Sequence, residues 1–236
     1  MYRVPWAWIR LNRRAAANRP CQGCWTTLHL GAPPEGLNLM FENLEMRRLL
    51  SGTTSSQSGT QLSISGMDVT IVEDFQVPGR VVVRDNPTGT EEAFTGVTNV
   101  TFSGLAGADR VFFTGHTVDS QINGGGGSDV ITVSDEGTGT STVNGEGADD
   151  QITVLYANDT KVIGDGGGDE ILIQPSVNDS FGTKTTYIYG MGGNDRIIIY
   201  AGINYVNGGA GGQDTLIDSS NGAAVIIEMG GIENHG

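Results

Sequence analysis

Six aspartates carry the first chemical signal in this sequence. Asp109, Asp129, Asp150, Asp169, Asp195 and Asp214 each follow a glycine-rich stretch, and each is followed two residues later by an apolar side chain. Their separations are 20, 21, 19, 26 and 19 residues. A carboxylate repeated beside flexible backbone carbonyls is an all-oxygen donor set. It suits calcium, a hard cation that takes roughly six to eight oxygens at about 2.3–2.6 Å. Glycine suits the turn because it reaches backbone conformations that other residues avoid. The candidate ligands are therefore the six carboxylates together with the carbonyls of Gly124, Gly126, Gly145, Gly147, Gly164, Gly166, Gly190, Gly192, Gly209 and Gly211. Asp149, Asp165 and Glu146 lie close by and add to the negative charge.

The elements that must position these groups are short strands. After each turn the apolar residues alternate, as in Val111 and Phe113, Ile131 and Val133, Ile152 and Val154, Ile171 and Ile173, or Ile197 and Ile199. Period-two alternation of this kind marks a strand with one inward face. A second strand precedes each turn, with Phe102, Ile122, Val143, Val162, Ile188 and Val206 as its inward residues. Two strands and two corners per repeat predict an all-β chain, a parallel β-solenoid of about six to eight coils. Stacking at about 4.8 Å brings the turns of successive coils close enough to share one ion. A core this narrow buries few side chains against the entropy of ordering every coil, so ions between the turns are an expected further source of stability. Six carboxylates stacked along one edge also repel one another unless a cation lies between them.

The pattern Gly-Gly-x-Gly-x-Asp-x-apolar-x, met in full from Gly124 to Thr132, resembles the RTX or hemolysin-type calcium-binding repeat of bacterial secreted proteins. The resemblance covers about residues 104–217 and implies a parallel β-roll holding calcium between adjacent turns. This chain departs from the family in having one motif per coil, which implies ions mainly along one edge. Upstream, Phe41-Glu42-Asn43-Leu44-Glu45-Met46-Arg47-Arg48-Leu49-Leu50-Ser51-Gly52 is similar to the LEPR-XLL motif of large exported bacterial surface proteins, with Met46 where proline is usual. That resemblance implies export or sorting, and with it a secreted or cell-surface location.

Composition divides the chain in the same place. Residues 1–50 hold seven of eleven arginines, both cysteines and all three tryptophans, whereas residues 51–236 hold 24 acidic against six basic residues and 34 of 37 glycines. The expected organisation is an irregular leader over 1–50, a linker over 51–60, early coils or a cap over 61–103, and the calcium-binding solenoid over 104–236 with Ala224–Ile227 as a closing strand. A net charge of −14 argues against nucleic acid and in favour of cations as partners. No apolar run reaches the roughly 20 residues of a membrane span. Cys21 and Cys24 have a C-x-x-C spacing, with His29 as the one further ligand nearby, which falls short of a four-ligand zinc site. No catalytic motif is present, so the expected function is a non-enzymatic structural or adhesive module, with surface polysaccharide or other surface proteins as partners. The competing reading is a β-helix enzyme acting on acidic polysaccharide, for which the basic residues Arg110, Lys161, Lys184 and Arg196 are few and scattered.

Overall fold

The computed structural model describes residues 52–135, 137–156, 159–174, 185–200, 203–219 and 225–227. The leader, nearly all of the LEPR-XLL-like segment, Cys21, Cys24 and His29, and the 175–184 stretch behind the long 26-residue spacing lie outside them.

In chain order the strands are β1 (Thr54–Ser58), β2 (Gln61–Ser65), β3 (Asp68–Glu73), β4 (Val81–Asp85), β5 (Thr90–Phe94), β6 (Asn99–Ser103), β7 (Arg110–Gly115), β8 (Asp119–Gly126) and β9 (Val130–Asp135). They continue as β10 (Ser141–Gly147), β11 (Gln151–Leu155), β12 (Lys161–Gly166), β13 (Glu170–Gln174), β14 (Thr185–Gly192), β15 (Arg196–Ile199), β16 (Ile203–Asn207), β17 (Thr215–Asp218) and β18 (Val225–Ile227). Two nine-stranded sheets result. One runs β1-β2-β6-β8-β10-β12-β14-β16-β18 and the other β17-β15-β13-β11-β9-β7-β3-β4-β5. From β6 onward each repeat gives one strand to each sheet, and like strands of successive repeats pair in parallel. The fold is thus all-β and solenoid-like, as the periodicity requires.

The parallel register follows from the inward residues. Ile64, Phe102, Ile122, Val143, Val162, Ile188 and Val206 stack in one column of the first sheet. Val111, Ile131, Ile152, Ile171, Ile197 and Leu216 form a column of the second sheet, with Phe113, Val133, Val154, Ile173 and Ile199 beside it. All are buried except Leu216, which packs half-buried against the same core. A slip of one residue would turn a whole strand's apolar set outward, so β-branched alternation fixes the register. At the far corner a polar inward column takes over. There Ser120 donates to Ser141, and Ser141 donates to Asp135 at 3.1 Å.

The beginning of the stack differs from a plain series of coils. Residues 54–58, expected in a linker, form β1, which pairs antiparallel with β2. Residues 68–94 fold as an antiparallel meander, β3-β4-β5, of which only β3 continues in parallel into β7. β2, β3 and β6 belong to the parallel stack, and β4 and β5 follow β3 at the end of the second sheet. Glu73 pins this region. It is 1% exposed and accepts hydrogen bonds from the backbone N–H groups of Gly79 at 3.1 Å, His116 at 2.6 Å, Thr117 at 2.7 Å and Val118 at 3.2 Å, and from the Thr117 hydroxyl. Burial alone would push its pKa up, but hydrogen bonds from Thr117, Gly79 and His116 hold it down at about 2.

Inward and outward neighbours on one strand should respond oppositely to truncation. Ile152→Ala is expected to cost about 2–5 kcal/mol and Thr153→Ala less than about 0.5 kcal/mol, read from urea unfolding midpoints. Equal losses would contradict the register.

Candidate metal centre

The glycine turns deliver the six motif aspartates to one corner of the stack. Each aspartate sits just before a second-sheet strand, so its side chain points inward on the same side as the apolar residue two positions later. Asp109, Asp129, Asp150, Asp169 and Asp195 are 1–4% exposed; Asp214, at the last turn, is half-buried. Solvated turn carboxylates are therefore not what the fold makes of them.

They form a continuous ladder. The backbone N–H of Asp109 donates to Oδ1 of Asp129 at 2.7 Å, Asp129 to Asp150 at 2.8 Å, and Asp150 to Asp169 at 2.8 Å. Asp169 donates likewise to Asp195 at 2.9 Å and Asp195 to Asp214 at 3.0 Å. The rung between Asp169 and Asp195 is intact despite the 26 residues that separate them.

The second carboxylate oxygen tells more about chemistry. Oδ2 of Asp129, Asp150, Asp169 and Asp195 is buried with no hydrogen-bond partner, as is Oδ1 of Asp109, whose Oδ2 accepts from Leu105 N–H. In each case Oδ2 packs on the glycine five residues earlier. A β-carbon added to Gly124 would lie 2.5 Å from Asp129 Oδ2 and 2.7 Å from the carbonyl oxygen of Gly145 on the next coil. One added to Gly145 would overlap Asp150 Oδ2 and lie 2.8 Å from the Gly164 carbonyl. One added to Gly164 would overlap Asp169 Oδ2 and lie 2.8 Å from the Gly190 carbonyl. At Gly124, Gly145, Gly164 and Gly190 the space beside the glycine is thus bounded by a carboxylate oxygen and a carbonyl oxygen of the next coil, both acceptors. A buried carboxylate oxygen without a donor needs a proton or a cation to offset the burial.

The glycines proposed as carbonyl donors separate into two sets. Gly124, Gly145, Gly164 and Gly190 face the orphaned oxygens. The carbonyls of Gly126, Gly147, Gly166 and Gly192 already accept N–H groups of neighbouring turns, from Gly107, Gly127, Ala148 and Gly167. In the last motif the counterpart of Gly190 is Gly208 rather than Gly209: a β-carbon on Gly208 would lie 2.5 Å from Asp214 Oδ2, whereas Gly209 lies over the Met191 carbonyl. Gly211 faces open space with φ 104°. The residue added to this turn falls after Gly209, and that is why aligning on Gly209 misses Gly208.

Among the described residues no three His, Cys, Asp or Glu side chains gather so as to hold a metal ion. An ion in this corner would draw most of its ligands from backbone carbonyls, with the carboxylates in a minority; calcium accepts such a set and zinc does not.

Electrostatics follows burial. Desolvation, followed by the neighbouring carboxylates of Asp169, Asp129 and Asp149, raises Asp150 to about 7, against the hydrogen bond from Asp129. Desolvation, then Asp195, Asp149 and Asp165, raises Asp169 to about 6. Asp109, Asp129 and Asp195 are raised as well, desolvation again being the largest cause.

No protein-family model, curated protein or solved structure matches the chain. The fold and the corner define its class without them: an all-β repeat protein with a buried carboxylate ladder.

Two outcomes test the corner. Gly145→Ala should destabilise by about 1–3 kcal/mol, because the methyl displaces a buried carboxylate, whereas Gly147→Ala, with nothing within 4 Å, should be near neutral in the same urea titration. The raised carboxyl pKa values also fix a pH trend. At these carboxyls the folded state binds protons more tightly than the unfolded chain, so in chelator the stability they contribute is full near pH 4 and is lost as pH rises to about 7. A metal-free unfolding midpoint that climbs across that window would refute the assignment.

Proposed function

We propose that this chain is a calcium-binding structural or adhesive module, without catalytic activity, whose folding is coupled to the ion. The observation that carries the reading is the row of buried, partnerless Oδ2 atoms of Asp129, Asp150, Asp169 and Asp195, each packed on a glycine that also approaches a carbonyl of the next coil. Asp109, Asp129, Asp150, Asp169, Asp195 and Asp214 would supply the charge. The turn carbonyls, those of Gly124, Gly145, Gly164 and Gly190 foremost and Gly208 at the last turn, would supply most of the remaining oxygens. Calcium bound there offsets the repulsion along the ladder and links each coil to the next.

The RTX-like spacing supports a calcium β-roll, with the ions along the one corner that holds the ladder. The LEPR-XLL-like segment supports display outside the cell, where calcium is abundant enough to fill weak sites. No helix among the described residues is long and apolar enough to cross a membrane. Surface polysaccharide or other surface proteins are the partners that suit such a module.

A site formed only in the folded chain adds its binding free energy to folding. Calcium added to chelated protein near pH 7.5 should raise the melting temperature and the strand signal in circular dichroism, with magnesium much weaker because it demands a smaller, stricter octahedron. Identical melting in chelator and in millimolar calcium would sink the reading.

A further inference from the structure

Three exposed carboxylates cluster over the middle of the ladder and nowhere else along it. Glu146 directly follows Gly145, on which Asp150 Oδ2 packs, and Asp165 directly follows Gly164, on which Asp169 Oδ2 packs. The two are register partners across β10 and β12, so two like charges lie opposite each other, an arrangement that destabilises a sheet in the absence of a counter-ion. Both residues hold a left-handed backbone, φ 74° and φ 79°, as does the uncharged Met191 (φ 78°) at the next coil, in a column where Gly125 and Gly209 stand at other coils. Asp149 completes the cluster, its Oδ1 accepting the N–H of Gly168 on the next turn at 2.7 Å. The corresponding outer positions at the ends of the ladder are uncharged: Gly125 and Ser128 early, Met191, Asn194 and Gln213 late. Beneath the cluster lie the partnerless Oδ2 atoms of Asp150 and Asp169, which are 3% and 1% exposed.

We infer that the Asp129–Asp150–Asp169 rungs form a separate, tighter class of calcium site, loaded before the rungs at either end, with Glu146, Asp149 and Asp165 as the outer charges that set its affinity. This rests on the calcium reading of the ladder. Folding then spreads from the middle coils outward as calcium rises, each loaded turn ordering the next.

Calorimetric titration of the full chain with calcium chloride tests it, circular dichroism reporting whether each variant is folded. The wild type is expected to bind in two phases. Glu146→Gln/Asp149→Asn/Asp165→Asn should lose the tight phase, its affinity falling about tenfold or more at low salt and less as salt screens the charges. The weak phase should persist. A control, Glu91→Gln/Glu92→Gln/Asp119→Asn, removes the same charge from exposed positions away from the corner and should retain both phases. Calcium binding by the wild type with an unchanged tight phase in the first variant overturns this inference and leaves the calcium reading standing. Equal weakening by both variants overturns it too, since net charge and not placement would then be responsible. No calcium binding by the wild type overturns both.

Discussion

A buried carboxylate oxygen set against a carbonyl oxygen is the constraint on which the rest of this structure turns. The turn must be glycine because the carboxylate fills the place of a β-carbon. The aspartate must precede a strand because only there does its side chain point into the corner while its N–H reaches the next carboxylate. The coils must stay in register because each Oδ1 from Asp129 through Asp214 is tied to the backbone N–H of the aspartate one coil earlier. Composition, turn geometry and sheet pairing are thus consequences of placing one negative group at one corner of every coil.

This arrangement also ties stability to the solution. A core with three inward aliphatic residues per coil is thin, and the ladder beside it is either neutralised or repulsive. Protons neutralise it in acid. Glu73 shows the alternative way to bury a carboxylate: several N–H donors surround it, it stays ionised, and it needs neither proton nor metal.

The periodic part of the fold was legible in the sequence because every coil repeats the same instructions. Asp129-x-Ile131-x-Val133 and Asp150-x-Ile152-x-Val154 state the turn, the strand and the inward face in one line each. What the repeat did not state was missed. The Thr54–Ser58 strand has a linker's composition, and only its pairing with β2 makes it a strand. Glu73 is a single acidic residue at a strand end, and most of its donors come from residues 116–118, more than 40 positions away, so no local pattern announces it. The exchange of Gly209 for Gly208 was hidden by one extra residue in a turn. The burial of the aspartates was implied by their phase with the apolar residues, Asp and Ile two apart on the same side.

The antiparallel strands at the start of the stack carry a consequence for how copies of this chain meet. A row of parallel strands left open at its end would be a template for another molecule's backbone, the route by which β-rich proteins grow into fibres. Here the terminal positions are taken by β1, Thr-Ser-Ser-Gln-Ser, and β5, Thr-Glu-Glu-Ala-Phe, short, mostly exposed and, in β5, doubly acidic. An incoming strand would find few side chains to bury and two negative charges to approach. That end of the stack is thus a poor template for strand addition.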